Sequence, residues 1–254
     1  MTPRQSQKPL AGWRVLVPRG GEWGNNIASI LRKSGATAVI APMINFAATQ
    51  NGDELEGSFA RLEAGTFEWL VVTSSTAVDV LAGHNVRVPT TTRIAAIGEM
   101  TASALLLAGY RIDFTPENDN SIRGLVREWT ASSPTGSVLI PQSETADEEL
   151  ALGFTTLGVG AEFVTAYRTV GVSVPDDVAD DVASGAIRGI LITSGSVARQ
   201  IQQQLAPLPE STIVVAIGPR TAFDARTAGI VVDAIAETRT GEALVEALIE
   251  QSIR

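Results

Sequence analysis

The sequence predicts an α/β fold made of two similar domains, each a parallel sheet with helices between its strands. The strongest observation is a degenerate internal copy. Thr73-Ser74, Ile97-Gly98, Thr101-Ala102 and Gly109 reappear as Thr193-Ser194, Ile217-Gly218, Thr221-Ala222 and Gly229, at a constant offset of 120 positions (193 − 73, 221 − 101, 229 − 109). A repeat of this length is a domain rather than a solenoid unit. The second observation is the regular exchange of short β-branched apolar runs with helical patterns, which marks a parallel sheet. The third is an apolar fraction of 44% over 254 residues, enough to fill two modest cores.

Along the chain, Val15-Leu-Val-Pro and Ala38-Val-Ile-Ala read as strands. Between them Ile27, Ile30 and Leu31 recur at helical spacing, and Gly35 stands where that helix should stop. The same strand–helix–strand unit recurs at Ser137-Val-Leu-Ile-Pro, a helix from about Thr145 to Leu157, and Gly160-Ala-Glu-Phe-Val. Two βα units follow each copy, over 67–129 and 188–250. Met43–Thr49 and Ala166–Val174 lack helical periodicity and are candidate crossovers. A tandem division at about residue 130 and an interleaved one both satisfy the pattern. Met1 to Gly12 is polar, lacks a signal-peptide apolar core, and reads as a frayed tail.

Composition excludes several function classes. No apolar run approaches the roughly 18 residues a membrane helix needs. Zero cysteines remove thiol nucleophiles and thiolate metal sites and fit a cytoplasmic protein. A single histidine, His84, argues against a Ser-His triad or a multi-histidine metal centre; it sits in a polar Gly-His-Asn turn. A net charge of −9 argues against general nucleic-acid binding. No P-loop occurs, and Gly158-Val-Gly160 ends a helix instead of opening one, so it is no dinucleotide fingerprint.

In a parallel sheet the strand-to-helix loops share one edge, and ligands bind there. Five such loops are small, hydroxylic or glycine-containing: Thr73-Ser-Ser-Thr76, Gly98-Glu-Met-Thr101, Pro141-Gln-Ser-Glu144, Thr193-Ser-Gly-Ser196 and Gly218-Pro-Arg-Thr221. Helix capping accounts for each one singly. Taken together, they suit a ligand with many carboxylates or phosphates held at helix N-termini. The candidate binding residues are Ser74, Thr101, Ser143, Ser194, Ser196, Arg220 and Thr221, with Arg19 as a further carboxylate clamp. Glu144, Asp147, Glu148 and Glu149 read as a solvated, dipole-favoured first turn. Tyr167, after a strand, is either a packed linker tyrosine or a phenol poised to donate a proton.

These residues carry a family resemblance over roughly Trp13 to Leu248. Leu16-Val-Pro-Arg, Trp69-Leu-Val-Val-Thr-Ser-Ser, Ala96-Ile-Gly-x-x-Thr-Ala, Leu139-Ile-Pro-Gln-Ser-Glu, Tyr167-Arg-Thr, Ile192-Thr-Ser and Ala216-Ile-Gly-Pro-Arg-Thr-Ala stand in the order and spacing of the uroporphyrinogen-III synthases. The chain departs from that family where Arg19 is followed by Gly-Gly and where Ser75-Thr76 follows Thr-Ser. The resemblance implies two flavodoxin-like parallel-sheet domains joined by two extended linkers, with the N-terminal segment completing the C-terminal domain. That makes one domain of 1–43 plus 173–254 and the other of 46–167, with linkers near 43–49 and 166–174 acting as a hinge. It implies cofactor-free closure of linear hydroxymethylbilane, a tetrapyrrole bearing eight carboxylates, with inversion of ring D and loss of water. It makes Tyr167 the acid that assists hydroxyl loss, and Thr101 and Thr221 the substrate-orienting threonines. A monomer, with no metal, membrane or nucleic-acid partner, is expected. The alternative reading is a two-domain binder or regulator of the same fold without catalysis.

Overall fold

The computed structural model describes residues 8–117, 124, 125, 127, 128, 136–145, 148–156 and 158–253. The chain divides into two compact units, Met1–Asn45 with Val170–Arg254, and Phe46–Thr169. The first unit is built on β1 (Arg14–Val17), α1 (Gly21–Lys33) and β2 (Thr37–Ile40), and is completed by α6 (Asp176–Ala183), β8 (Ile187–Ile192), α7 (Gly195–Leu205), β9 (Ile213–Ala216), α8 (Pro219–Thr227), β10 (Ala234–Ile235) and α9 (Gly241–Ser252). The second holds α2 (Gly52–Glu63), β4 (Trp69–Val72), α3 (Ser75–Gly83), β5 (Arg93–Ala96), α4 (Glu99–Leu107), β6 (Val138–Ser143) and α5 (Glu148–Thr156). Two strands carry the chain between the units: β3 (Ile44–Ala48) and β7 (Ala161–Gly171).

The first sheet runs β2-β1-β8-β9-β10, with every neighbouring pair parallel. In order of appearance within the unit this is 2-1-3-4-5, the flavodoxin-like order. The second sheet runs β3-β7-β6-β4-β5. Its β7-β6-β4-β5 stretch, again parallel, matches β2-β1-β8-β9 strand for strand, although the chain enters it at β4 and so its order of appearance is 4-3-1-2. Phe114 bridges Ala95 in parallel at the fifth position. The central strands are buried along their length, as in β4, because helices cover both faces of a parallel sheet. Each sheet accordingly has two apolar layers, one built around Leu16, Ile190 and Ile201 and the other around Val15, Leu191 and Leu248 in the first unit.

The repeat extends to single hydrogen bonds. Thr92 Oγ1 donates to the Phe67 carbonyl at 2.6 Å, and Thr212 Oγ1 to that of Ile187 at 2.9 Å. Asp113 Oδ2 accepts from Ile94 N, and Asp233 Oδ2 from Val214 N, both at 2.7 Å. All four pairs keep the offset of 120 (212 − 92, 233 − 113). Each buried threonine hydroxyl satisfies a carbonyl that water cannot reach, which is why a polar residue persists there.

Two expectations need correction. Residues 8–12 are ordered against the body of the fold rather than frayed: Leu10 is fully buried against Trp13, Ile27 and Leu31, and its N–H bonds the Ser34 carbonyl at 2.9 Å. Burying one leucine is worth about 2 kcal/mol, enough to hold a short segment. Residues 1–7 lie outside the described residues. Ser143 is not on a loop, because β6 continues through Pro141-Gln-Ser. Tyr167 stands within β7, one of the two strands that carry the chain between the units; Phe163, Val164, Thr165, Tyr167 and Thr169 sustain a strand of 11 residues with no turn signal. Of the acidic cluster, Glu144 is exposed in a turn, whereas Asp147 and the side chains of Glu148 and Glu149 lie outside the described residues.

Candidate functional site

In the second unit the parallel register places Tyr167 opposite Ser143, with β6 lying between β7 and β4. The chain leaves β4 at Val72, and Ser74 becomes the N-cap of α3, in extended conformation, with its Oγ accepting the Ala77 N–H at 3.1 Å. The Tyr167 hydroxyl reaches that same Oγ at 3.0 Å. Phe46 on β3 meets the Tyr167 ring edge-on, with centroids 5.4 Å apart. Only 8% of the tyrosine is exposed, so its ring is fixed by packing and its oxygen by the start of a helix. The hydroxyl protons are free to rotate, so the Ser74–Tyr167 pair can run in either direction.

Ser143 Oγ turns back toward its own chain, near Thr145 Oγ1 at 3.4 Å, and accepts from Thr145 N at 3.3 Å. Thr101 is the third residue of α4 and is only 4% exposed. Gly98, which precedes that helix, has φ +92°, a backbone conformation that side chains disfavour. This explains the Ile-Gly pair at a strand-to-helix turn. In the first unit Gly218 is extended at φ −178°, as the following Pro219 requires. Thr221 is again the third helical residue and again 4% exposed.

The first unit's edge carries more charge. Ser194 caps α7 by accepting from Val197 N at 3.3 Å. Ser196 Oγ accepts from Arg199 at 3.4 Å. Arg220 pairs with Asp224 one turn along α8, at 3.2 Å, and its side chain is 64% exposed. Asp224 also lies against the first residue of α7: a methyl added at Gly195 would sit 2.5 Å from a carboxylate oxygen. Arg19 follows β1, and its guanidinium lies 5.3 Å from the centre of the Trp23 ring. Desolvation lowers its pKa from the ordinary arginine value. Sequence reasoning missed Arg239. It follows β10 and precedes the α9 cap Thr240, and its Nε would lie 3.3 Å from a methyl at Gly218. The edge rule for parallel sheets, applied to the last strand, would have found it.

The sequence-predicted residues therefore fall into two groups. Ser74, Thr101 and Ser143 stand at the strand ends of the second unit, and Tyr167, within β7, lies opposite Ser143 and in direct contact with Ser74. Arg19, Ser194, Ser196, Arg220 and Thr221 stand at those of the first. His84 is neither: it closes α3, with Nδ1 2.9 Å from the Val80 carbonyl and its ring edge-on to Phe59.

A sequence model described as Uroporphyrinogen-III synthase HemD matches residues 25–246. The chain belongs to this family. A curated relative, the porphyrin biosynthesis protein HemD of Ruminiclostridium josui, is 25% identical over 252 residues. That alignment covers 96% of this chain and 49% of the relative, so the chain spans about half the length of the relative it matches. Two crystal structures share the fold. One is uroporphyrinogen-III synthetase from Helicobacter pylori, with TM-score 0.65, 17% identity and coverage of 95% of this chain and 99% of that one. The other is a mutant uroporphyrinogen III synthase from the extremely thermophilic bacterium Thermus thermophilus, with TM-score 0.61, 16% identity and coverage of 95% and 98%. The two-unit α/β architecture expected from the sequence is the one these structures share. Among the described residues, no helix is long and apolar enough to cross a membrane.

Proposed function

We propose that the chain is a cofactor-independent lyase that closes linear hydroxymethylbilane to uroporphyrinogen III, with inversion of ring D and loss of water. Membership of the family supports this reaction. The observation that carries the reading to named atoms is the fixed phenol of Tyr167 at the start of α3.

The terminal hydroxyl of the substrate must leave as water. Tyr167 donates its proton to that oxygen as the carbon–oxygen bond breaks, leaving an azafulvenium cation on the pyrrole. Ser74, already accepting from the Ala77 amide, then turns its own proton toward the tyrosine oxygen. The chain Ala77 N–H to Ser74 to Tyr167 points donors outward from a helix N-terminus, and such preorganised donors act where charge changes in the transition state. The substituted α-carbon of ring D attacks the exocyclic methylene of that cation to give the spiro intermediate. Cleavage of that carbon's old bond to its methylene bridge, reclosure of the bridge at the ring's other α-carbon and return of the proton displaced there to the Tyr167 phenolate complete the inversion. The protein's task there is to hold the bilane folded so that simple head-to-tail closure loses.

Binding falls to the rest of the set. Arg19, Arg220 and Arg239 supply guanidinium groups for the substrate carboxylates, and Ser194, Ser196, Ser143, Thr101 and Thr221 supply hydroxyls or helix-start amides. Thr101 and Thr221 are buried, so their contribution runs through the helix-start amides they hold in place. The protein works as a monomer in the cytoplasm, without metal, organic cofactor or nucleic acid. The test is to supply the purified chain with hydroxymethylbilane made in situ, oxidise the products and separate the isomers. An excess of isomer III with nothing added supports the assignment. Isomer I alone removes it and leaves the non-catalytic binder.

A further inference from the structure

At the opposite ends of the strands in the first unit lies a groove of about 680 Å³ that the proposed reaction does not use. Thr212 and Asp233, just before β9 and β10, line it together with Pro209, Glu210, Ile230 and Val231.

The internal repeat shows what this groove lacks. At the matching place in the second unit stand Tyr110 and Arg111, where the first unit has Ile230 and Val231 (230 − 110, 231 − 111). The Tyr110 hydroxyl donates to the Val86 carbonyl at 2.9 Å. Arg111 donates to the carbonyls of Pro89 at 3.2 Å and Thr90 at 3.3 Å, and also to that of Thr92. Its Nε lies 3.4 Å from Asp113 Oδ2. One guanidinium is thus held by three carbonyls and a carboxylate.

The first unit keeps all four acceptor positions, at Pro209, Glu210, Thr212 and Asp233, and all four line the groove. The turn itself is kept, because Thr212 N bonds the Pro209 carbonyl as Thr92 N bonds that of Pro89. Asp233 is anchored on Val214 N as Asp113 is on Ile94 N. The cation is gone, replaced by a valine that is 77% exposed. Glu210, where the second unit has Thr90, adds a second carboxylate. Ile230 and Ala206, both lining the groove, stand where the second unit has Tyr110 and Val86, so no phenol occupies this end.

We infer that this groove is a binding site for a small guanidinium compound carrying an apolar arm, the group taking in trans the place that Arg111 fills in cis in the sister unit. Planar donors matched to a carboxylate and several carbonyls select guanidinium over ammonium. The neighbouring Pro209 and Ile230 receive the arm. The site is separate from the strand-to-helix edges, so its occupancy does not rest on the proposed synthase activity.

The test uses phenylguanidine as the probe and phenylurea as its neutral isostere, titrated calorimetrically into the full chain. Val231→Arg supplies the cation in cis from an exposed position, and Asp233→Asn removes the carboxylate. The expected result is saturable phenylguanidine binding that phenylurea does not reproduce. Val231→Arg should weaken it at least tenfold, with a raised thermal midpoint and unchanged isomer III formation. Asp233→Asn should weaken it severalfold. Equal binding of the two probes, binding that Val231→Arg leaves intact, or no saturable phenylguanidine binding would each overturn the inference.

Discussion

The starts of α3 and α7 are the same turn built twice, and they face different groups. Ser74 and Ser194 cap their helices through the same bond, to Ala77 N at 3.1 Å and Val197 N at 3.3 Å. In the second unit the cap also meets a phenol, Tyr167, at 3.0 Å. In the first unit the helix start is pressed by the Asp224 carboxylate, which pairs with Arg220. The repeat explains the contrast residue by residue. Asp224 matches Ala104 and Gly195 matches Ser75, so the second unit lacks the carboxylate and the first needs a glycine to admit it. The two scaffolds are alike, and a few differences at equivalent places set a phenol beside one helix start and a carboxylate paired with a guanidinium beside the other.

The largest expected effect lies at Tyr167. Tyr167→Phe keeps the ring against Phe46 and removes only the hydroxyl. Turnover to isomer III should fall by about 10²-fold, the low end for loss of a general acid. Quenched time courses check this, and unchanged turnover would take the acid role from Tyr167.

Gly195→Ala sharpens the comparison through stability. The added methyl meets Asp224 in the first unit, whereas Ser75 already carries a side chain in the second. Overpacking of this kind costs about 2 kcal/mol. Urea denaturation should show that loss, and Gly195→Ala combined with Asp224→Ala should recover most of it.

The smallest effect is a pH dependence confined to the second unit. Burial first, and Glu63 second, push the Tyr110 phenol above its ordinary value of 10.0. A folded-state pKa raised in this way contributes stability that is fully present below the unfolded value and is lost as pH rises through the folded one. The urea midpoint should fall above about pH 10, and Tyr110→Phe should flatten that fall. Ile230, the first unit's counterpart, has nothing to titrate.

The paired sheets were legible because alternation and repetition are local signals. Thr73-Ser74 and Thr193-Ser194 announce strand ends and caps wherever they occur, and Gly35, Gly109 and Gly229 announce helix ends. What stayed hidden depends on distant residues. Nothing near Tyr167 states that β7 continues past it, because a strand crossing from one unit to the other has no turn to punctuate it. The meeting of Tyr167 with Ser74 joins residues far apart in sequence through the order of three strands. Asp224 reaches Gly195 by the packing of α8 on α7, and Arg239 reaches Gly218 from the neighbouring strand's loop. A missing side chain, such as the arginine absent at Val231, becomes visible only when the two copies are laid over each other.

A matched pair of variants tests most directly whether the two equivalent helix starts have taken different parts. Ser74→Ala and Ser194→Ala remove the same cap, so each should cost about 1 kcal/mol of stability. Steady-state kinetics should then separate them. Ser74→Ala, which strips the partner from Tyr167, should lower kcat severalfold with KM little changed, whereas Ser194→Ala should raise KM and leave kcat in place. Equal losses of kcat in the two variants would contradict the division between the edges.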